Sequence, residues 1–292
     1  MTTYSNRFYI NKAEELYYTI KRIKKRIIHI PCDNLKSKQR YLLNAIKWIF
    51  PCKFDTITSA KIHAGKKWIL KMDIKDFYNS VPSYEIQRVI KSVYENVFSI
   101  SENLFSYFNL VTINGKLPTG APTSFHIANA CFKQFDENIR SLCEVLGVDY
   151  TRYVDDLTFS SYSKESLKIV EEKVKAILEF NGYKLNDKKT KYISSNKQQN
   201  VLGLVVNDYR VRLPKTFKRN IRAMLHNYSV NKCHSNLKDT KYLIWDNKEE
   251  LRLKGYISYL KHVDNVFYKH LQIYAKKLEQ KYLVIIPFFK NK

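Results

Sequence analysis

Two aspartates stand side by side in Tyr153-Val154-Asp155-Asp156, and a third, Asp73, closes the largely apolar run Trp68-Ile69-Leu70-Lys71-Met72. Adjacent carboxylates at a tight turn repel one another and raise each other's pKa. An acid at the end of a buried strand is costly unless a cation or hydrogen-bond donors meet it. The Asp155-Asp156 pair alone could be a solvated polar turn. Joined by Asp73, it describes a site for Mg²⁺, a hard cation that takes oxygen ligands and leaves octahedral positions for substrate phosphates. Two such ions about 3.5–4 Å apart activate an attacking hydroxyl and stabilise the group that leaves. Phosphoryl transfer of this kind needs positioning and charge neutralisation, not a protein nucleophile. No Ser-His-Asp or Cys-His arrangement stands out.

The elements around these acids must bring them together. Trp68 to Ile74 reads as a buried strand. Tyr150 to Ser160 reads as a hairpin, with Tyr150–Val154 and Leu157–Ser160 as strands and Asp155-Asp156 as the two-residue turn. Ser163 is placed to cap a helix whose Leu167, Val170, Val174, Ile177 and Leu178 form one stripe, and Asn181-Gly182 ends it. Upstream, Tyr18–Ile20 and Arg26–Ile30 are strand-like on either side of the basic turn Lys21–Lys25, and Leu35 to Phe50 has helical spacing. Downstream, Val201 to Val206 reads as a strand, and beyond Pro214 the chain turns helical. Phe267, Leu271, Tyr274, Ala275 and Leu278 line one helical face there. The expected class is α+β with a helical C-terminal part.

The 292 residues carry 51 Lys+Arg against 27 Asp+Glu, a formal charge of +24. A chain this basic is expected to meet a polyanion. The excess is segregated: residues 1–70 hold 15 bases to 4 acids, residues 210–292 hold 19 to 6, and the stretch between holds 17 of each. Two basic walls thus flank a neutral centre that keeps its acids. No segment has the apolar length of a membrane span, and Met1-Thr2-Thr3-Tyr4-Ser5 begins no signal peptide. Five widely spaced cysteines, without a Cys-x-x-Cys pair and with no second pair near Cys233-His234, suit reduced thiols in a cytoplasm rather than a zinc site.

Five segments, in order, resemble the reverse transcriptase family. They are Met72-Asp73-Ile74-Lys75-Asp76-Phe77-Tyr78-Asn79-Ser80-Val81, Leu117-Pro118-Thr119-Gly120-Ala121-Pro122-Thr123-Ser124, Tyr153-Val154-Asp155-Asp156, Gly182 to Thr190, and Val201-Leu202-Gly203-Leu204-Val205-Val206-Asn207. The resemblance implies an α+β right-hand polymerase fold, with fingers, a palm of antiparallel sheet packed on helices, and a helical thumb. Fingers would occupy 1–70, the first part of the palm 71–83, a helical insertion 84–116, the rest of the palm 117–212, and the basic thumb 213–292.

It also implies roles. Asp73 and Asp155 would ligate two Mg²⁺ ions, which Mn²⁺ could replace, with help from the Ile74 carbonyl and support from Asp156. Tyr78 falls at the sugar-gate position, where an aromatic ring excludes a 2′-hydroxyl. Lys189 would donate to, or neutralise, the leaving pyrophosphate. Thr119 and Gly120 belong to a stiff loop expected to bring backbone close to a base pair; the family usually has Gln where Thr119 stands. Lys21 and Arg26 would grip the incoming triphosphate. In the thumb, Arg219 and Arg222 would follow the primer–template phosphates.

Within the family the closest likeness is to retron-type enzymes, which copy a cognate structured non-coding RNA into a small RNA-linked DNA and often serve phage defence with a separate effector protein. Ser59-Ala60-Lys61-Ile62-His63 and Val201-Leu202-Gly203 match two retron signatures in part, so Ser59, His63, Val201, Leu202 and Gly203 are candidate RNA contacts. The expected partners are an RNA template and RNA–DNA hybrid, with no membrane. Two alternatives stand beside this: another bacterial defence reverse transcriptase, and an RNA-binding scaffold with an idle polymerase site.

Overall fold

A strand buried on both faces holds a charged residue only where something outside the core requires it. The strand Trp68–Asp73 is such a case: Ile69, Leu70 and Met72 are sealed in, and Asp73 is buried at its end. The structure is a computed structural model that describes residues 7–23, 26–52, 55–97, 104–236 and 247–289. The opening residues, Lys24-Lys25 of the basic turn and the side chain of His234 lie outside that description.

In chain order the elements begin β1 (Arg7–Asn11), β2 (Leu16–Ile23), β3 (Arg26–Pro31), α1 (Asp33–Ile49), α2 (Thr56–Ile62), β4 (Trp68–Asp73), α3 (Phe77–Ser80), α4 (Ser83–Val97) and α5 (Leu104–Val111). They continue α6 (Ser124–Cys131), α7 (Lys133–Val145), β5 (Asp149–Tyr153), β6 (Asp156–Ser161), α8 (Lys164–Phe180) and β7 (Lys191–Ser194). The last are β8 (Asn200–Val201), β9 (Leu204–Val205), α9 (Lys215–Asn236), α10 (Asn247–Val263) and α11 (Asn265–Tyr282). The chain forms two compact units, Met1–Asp55 with Lys67–Ile193, and Thr56–Lys66 with Ser194–Lys292.

In the first unit a four-stranded sheet runs β5-β6-β4-β7, with β4 antiparallel to β6 and β6 antiparallel to β5. Leu70, Met72, Leu157 and Phe159 pack with the apolar stripes of α4, α6 and α8 in one core. Ser163 caps α8 as expected, its side chain accepting from the Ser166 N–H at 3.1 Å. A separate three-stranded sheet, β1-β2-β3, leads into α1. The described elements are α+β, and the pairs β1-β2, β2-β3, β4-β6, β5-β6 and β8-β9 are antiparallel, as the sequence implies.

Two local expectations are corrected. The hairpin turn is Val154-Asp155, not Asp155-Asp156, because Tyr153 pairs with Asp156 and makes Asp156 the first residue of β6. Val201 to Val206 is not one strand: Leu202 (φ 50°) and Gly203 (φ 83°) turn back between β8 and β9. Two successive positive φ angles are the signature of a tight I′ hairpin, which Gly203 accepts freely and Leu202 does not.

In the second unit α11 buries Phe267, Leu271, Ala275 and Leu278 as read, together with Tyr268, whereas Tyr274 is only half-buried. Asp264 organises this helix. Its carboxylate caps the Phe267 N–H (3.1 Å), accepts from the Leu213 N–H (3.5 Å) and pairs with Lys218 (2.6 Å). Burial opposes ionisation of Asp264, but the Lys218 and backbone donors outweigh it and hold the carboxyl below its usual range.

Candidate active site at the ends of β4, β5 and β6

Strand register settles how the acids meet. Asp73 lies directly opposite Asp156 across β4 and β6, and the Ile74 N–H donates to the Asp155 carbonyl at 2.9 Å. That bond places Ile74 and Asp155 at a hydrogen-bonded position, so the neighbouring Asp73–Asp156 pair is of the non-hydrogen-bonded kind, where facing side chains are closest. Like charges directly opposite destabilise a sheet. The fold accepts the cost at one point, where all three carboxylates line a cleft of about 510 Å³.

The same cleft carries Arg26, Lys71, Lys188, Lys189 and Lys191. Lys189 Nζ sits 2.7 Å from Asp73 Oδ1. The segment bearing it is clamped to the strand end by the Asn186 N–H donating to the Asp73 carbonyl and the Lys75 N–H donating to the Lys184 carbonyl, each at 2.8 Å. Burial pulls the Lys71 ammonium pKa down, Asp156 resists this and Lys191 adds to it. Asp155 moves the other way: burial first, then the charges of Asp73 and Asp156, push its carboxyl above the usual range, against its own backbone hydrogen bond and Lys189.

Hard carboxylate oxygens are the right donors for a divalent ion, and a carboxyl raised by burial and then by two neighbouring acids is a place where a cation would lower the energy. Among the described residues, however, no three His, Cys, Asp or Glu side chains are disposed to share one ion as they stand. Lys189 supplies at Asp73 the kind of positive charge an ion would bring, and the carboxylate donor set fits a divalent ion.

The other residues singled out from the sequence fall as follows. Tyr78 is half-buried on α3, and its phenol pKa is raised by burial first and then by the charges of Asp155 and Tyr153. Arg26 reaches the acid cleft from β3, whereas Lys21 is exposed on β2 and does not line it. The Thr119 carbonyl accepts from the His29 N–H at 2.8 Å. Gly120 (φ 111°) is pressed so close to β3 that a Cβ would stand 2.8 Å from the His29 carbonyl oxygen. The close approach this glycine allows is therefore to the protein's own strand. Ser59 and His63, both buried, belong to the second unit, as do Val201, Leu202 and Gly203. There the Gly65 N–H donates to the Val206 carbonyl at 2.9 Å, joining the two segments. Arg219 and Arg222 are exposed on α9, with Arg222 over the Phe267 ring at 5.0 Å.

Sequence reading passed over Lys71 and Arg152. Lys71 was visible as the one charge inside an apolar strand, two residues from Asp73 and so on the same face. Arg152, next to the Tyr-x-Asp-Asp string, gave no signal of its own, because its partners come from α6 and α7.

A family model described as reverse transcriptase (RNA-dependent DNA polymerase) matches residues 10–206. The chain is 28% identical over 268 residues to the retron Ec86 reverse transcriptase of Escherichia coli, covering 88% of this chain and 78% of that protein. It is 29% identical over 246 residues to the retron Mx162 reverse transcriptase of Myxococcus xanthus, covering 71% of this chain and 51% of the relative, so it spans about half of that protein's length. Among solved structures, a Candida albicans telomerase in complex with a fragment of telomeric RNA aligns with a TM-score of 0.54 at 12% identity, over 93% of this chain and 64% of the other. A foamy viral protease–reverse transcriptase in complex with double-stranded DNA aligns at 0.50 and 13%, over 92% and 43%. At such identities the likeness is one of fold, the right-hand polymerase fold.

Proposed function

The chain belongs to the reverse transcriptase (RNA-dependent DNA polymerase) family, and on that premise we propose that Asp73, Asp155 and Asp156 form the catalytic centre of a retron-type RNA-directed DNA polymerase. The observation that carries this reading is the facing of Asp73 and Asp156 across β4 and β6, with Asp155 in the adjoining turn. Asp73 and Asp155, with the Ile74 carbonyl, would hold two Mg²⁺ ions, and Asp156 would support them. Bound there, the ions would supply charge neutralisation for the attacking hydroxyl and the leaving pyrophosphate.

The protein's own groups do the rest. Arg26 orients the triphosphate from β3, joined by Lys21 when the β2–β3 ribbon meets nucleotide. Lys189, hydrogen-bonded to Asp73 at the edge of the cleft, would donate a proton to the leaving pyrophosphate or neutralise its charge. Tyr78 beside Asp155 excludes the 2′-hydroxyl. We assign fingers to 1–70, palm to 71–83 and 117–212 around the helical 84–116 segment, and thumb to 213–292, where Arg219 and Arg222 face phosphates. The unit that groups Ser59, His63 and Val201–Gly203 would meet the cognate non-coding RNA, with Leu202 and Gly203 at its surface and the buried Ser59, His63 and Val201 supporting that surface from within. The product would be a small RNA-linked DNA, and its use antiphage defence with a separate effector.

The test is primer extension on an RNA template with dNTPs and Mg²⁺, comparing wild type with Asp155→Asn. Loss of extension in the variant is expected. Equal extension by both would favour the scaffold alternative.

A further inference from the structure

Val154, a β-branched residue at φ 57°, occupies the first position of the turn that presents Asp155 and Asp156. Such a residue avoids the left-handed region unless its surroundings enforce it. Its carbonyl is held by a buried guanidinium. Arg152, its side chain 5% exposed, donates from Nη1 to the Val154 carbonyl at 3.0 Å and to Asn129 Oδ1 at 2.9 Å. Its Nε and Nη2 fork onto Asp136 at 2.8 and 2.6 Å. The Tyr150 hydroxyl donates to the same Asp136 oxygen at 2.8 Å, and the guanidinium lies 4.7 Å from the Phe132 ring centre.

We propose that Arg152 is a positioning residue for catalysis: anchored by Asp136 and Asn129 on α7 and α6, it holds the Val154 carbonyl, and with it the peptide that leads into Asp155. Every other use of the guanidinium is internal to the scaffold. The one bond that reaches the turn ends on the residue with the strained angle. A planar, five-donor group can serve all these acceptors at once, whereas a lysine ammonium cannot. The inference rests on the reading of Asp155 as a catalytic acid.

The experiment is a double-mutant cycle on primer extension. Arg152→Lys is expected to lower kcat by roughly tenfold or more with nucleotide KM within about threefold, as for loss of a geometric support. Glycine accepts positive φ without enforcement, so in the Val154→Gly background the same Arg152→Lys change should cost far less. An equal kcat penalty in both backgrounds would overturn the proposal, since a purely scaffold role is indifferent to residue 154. Should Arg152→Lys fail to fold, Asp136→Asn takes its place in the cycle, with the same expectation and the same refuting result. Asp155→Asn run alongside separates the two ideas: activity surviving in it defeats the active-site reading, whereas activity lost there with no coupling between 152 and 154 defeats only this inference.

Discussion

Gly120→Ala isolates how the Thr119-Gly120 loop is fixed to β3. At φ 111° the substituted residue sits in backbone space that L side chains rarely enter, a strain of about 1–3 kcal/mol. Its Cβ would also stand 2.8 Å from the His29 carbonyl oxygen and 2.9 Å from Ile28 Cγ2. The carbonyl cannot withdraw easily, because the neighbouring His29 N–H is bonded to Thr119. Overpacking of this sort adds about 1–3 kcal/mol, for a sum of roughly 2–6 kcal/mol. At ~2–4 °C per kcal/mol the melting temperature should fall by roughly 4–24 °C. Gly147→Ala is the control. Gly147 also has positive φ (63°), but nothing stands within 4 Å of its would-be Cβ, so only backbone strain of about 1–2 kcal/mol is expected. Differential scanning fluorimetry of the three proteins reads the difference. Equal losses for the two variants would refute the contact between the loop and β3.

Three further outcomes follow from the same geometry. The raised Asp155 carboxyl contributes stability below the ordinary aspartate pKa, about 3.9, and withdraws it as pH rises through the raised value. Without divalent ions, Asp155→Asn should therefore gain in melting temperature over wild type as pH rises above about 4; a constant difference would contradict this. Tyr78→Ala should raise kcat/KM for ribonucleotides relative to deoxynucleotides by ~10–100-fold, measured by single-nucleotide incorporation, and an unchanged ratio removes the ring from sugar selection. Replacing Lys21 and Arg26 together by Ala should raise nucleotide KM by ~10-fold or more with template affinity little altered; an unaltered KM removes both from triphosphate binding.

The chemistry was legible before the geometry. Asp73 ended an apolar run and Asp155-Asp156 fell in a hairpin, so burial cost marked both segments, and the order of the reverse transcriptase motifs joined them into one site. The register of the turn was not legible, because Val154 has no sequence mark of a positive φ; its carbonyl is held by Arg152, whose own partners Asn129 and Asp136 lie on helices distant in sequence. The same limit hid the break at Leu202-Gly203, where an apolar run conceals two strands of two residues each. Lys189 was chosen for its place in a motif, and its bond to Asp73 depends on the Asn186 and Lys75 backbone bonds, which no side-chain pattern records.

Whether Asp73 and the Asp155–Asp156 turn share a cation is best asked of the backbone itself. With Fe²⁺ in place of Mg²⁺, and with ascorbate and peroxide, hydroxyl radicals cut the chain beside the bound ion. Cuts are expected both near residue 73 and near residues 153–157, suppressed together by excess Mg²⁺ and absent in Asp73→Asn. Cleavage at only one of the two segments, or cuts at both that persist in Asp73→Asn, would contradict a shared metal centre.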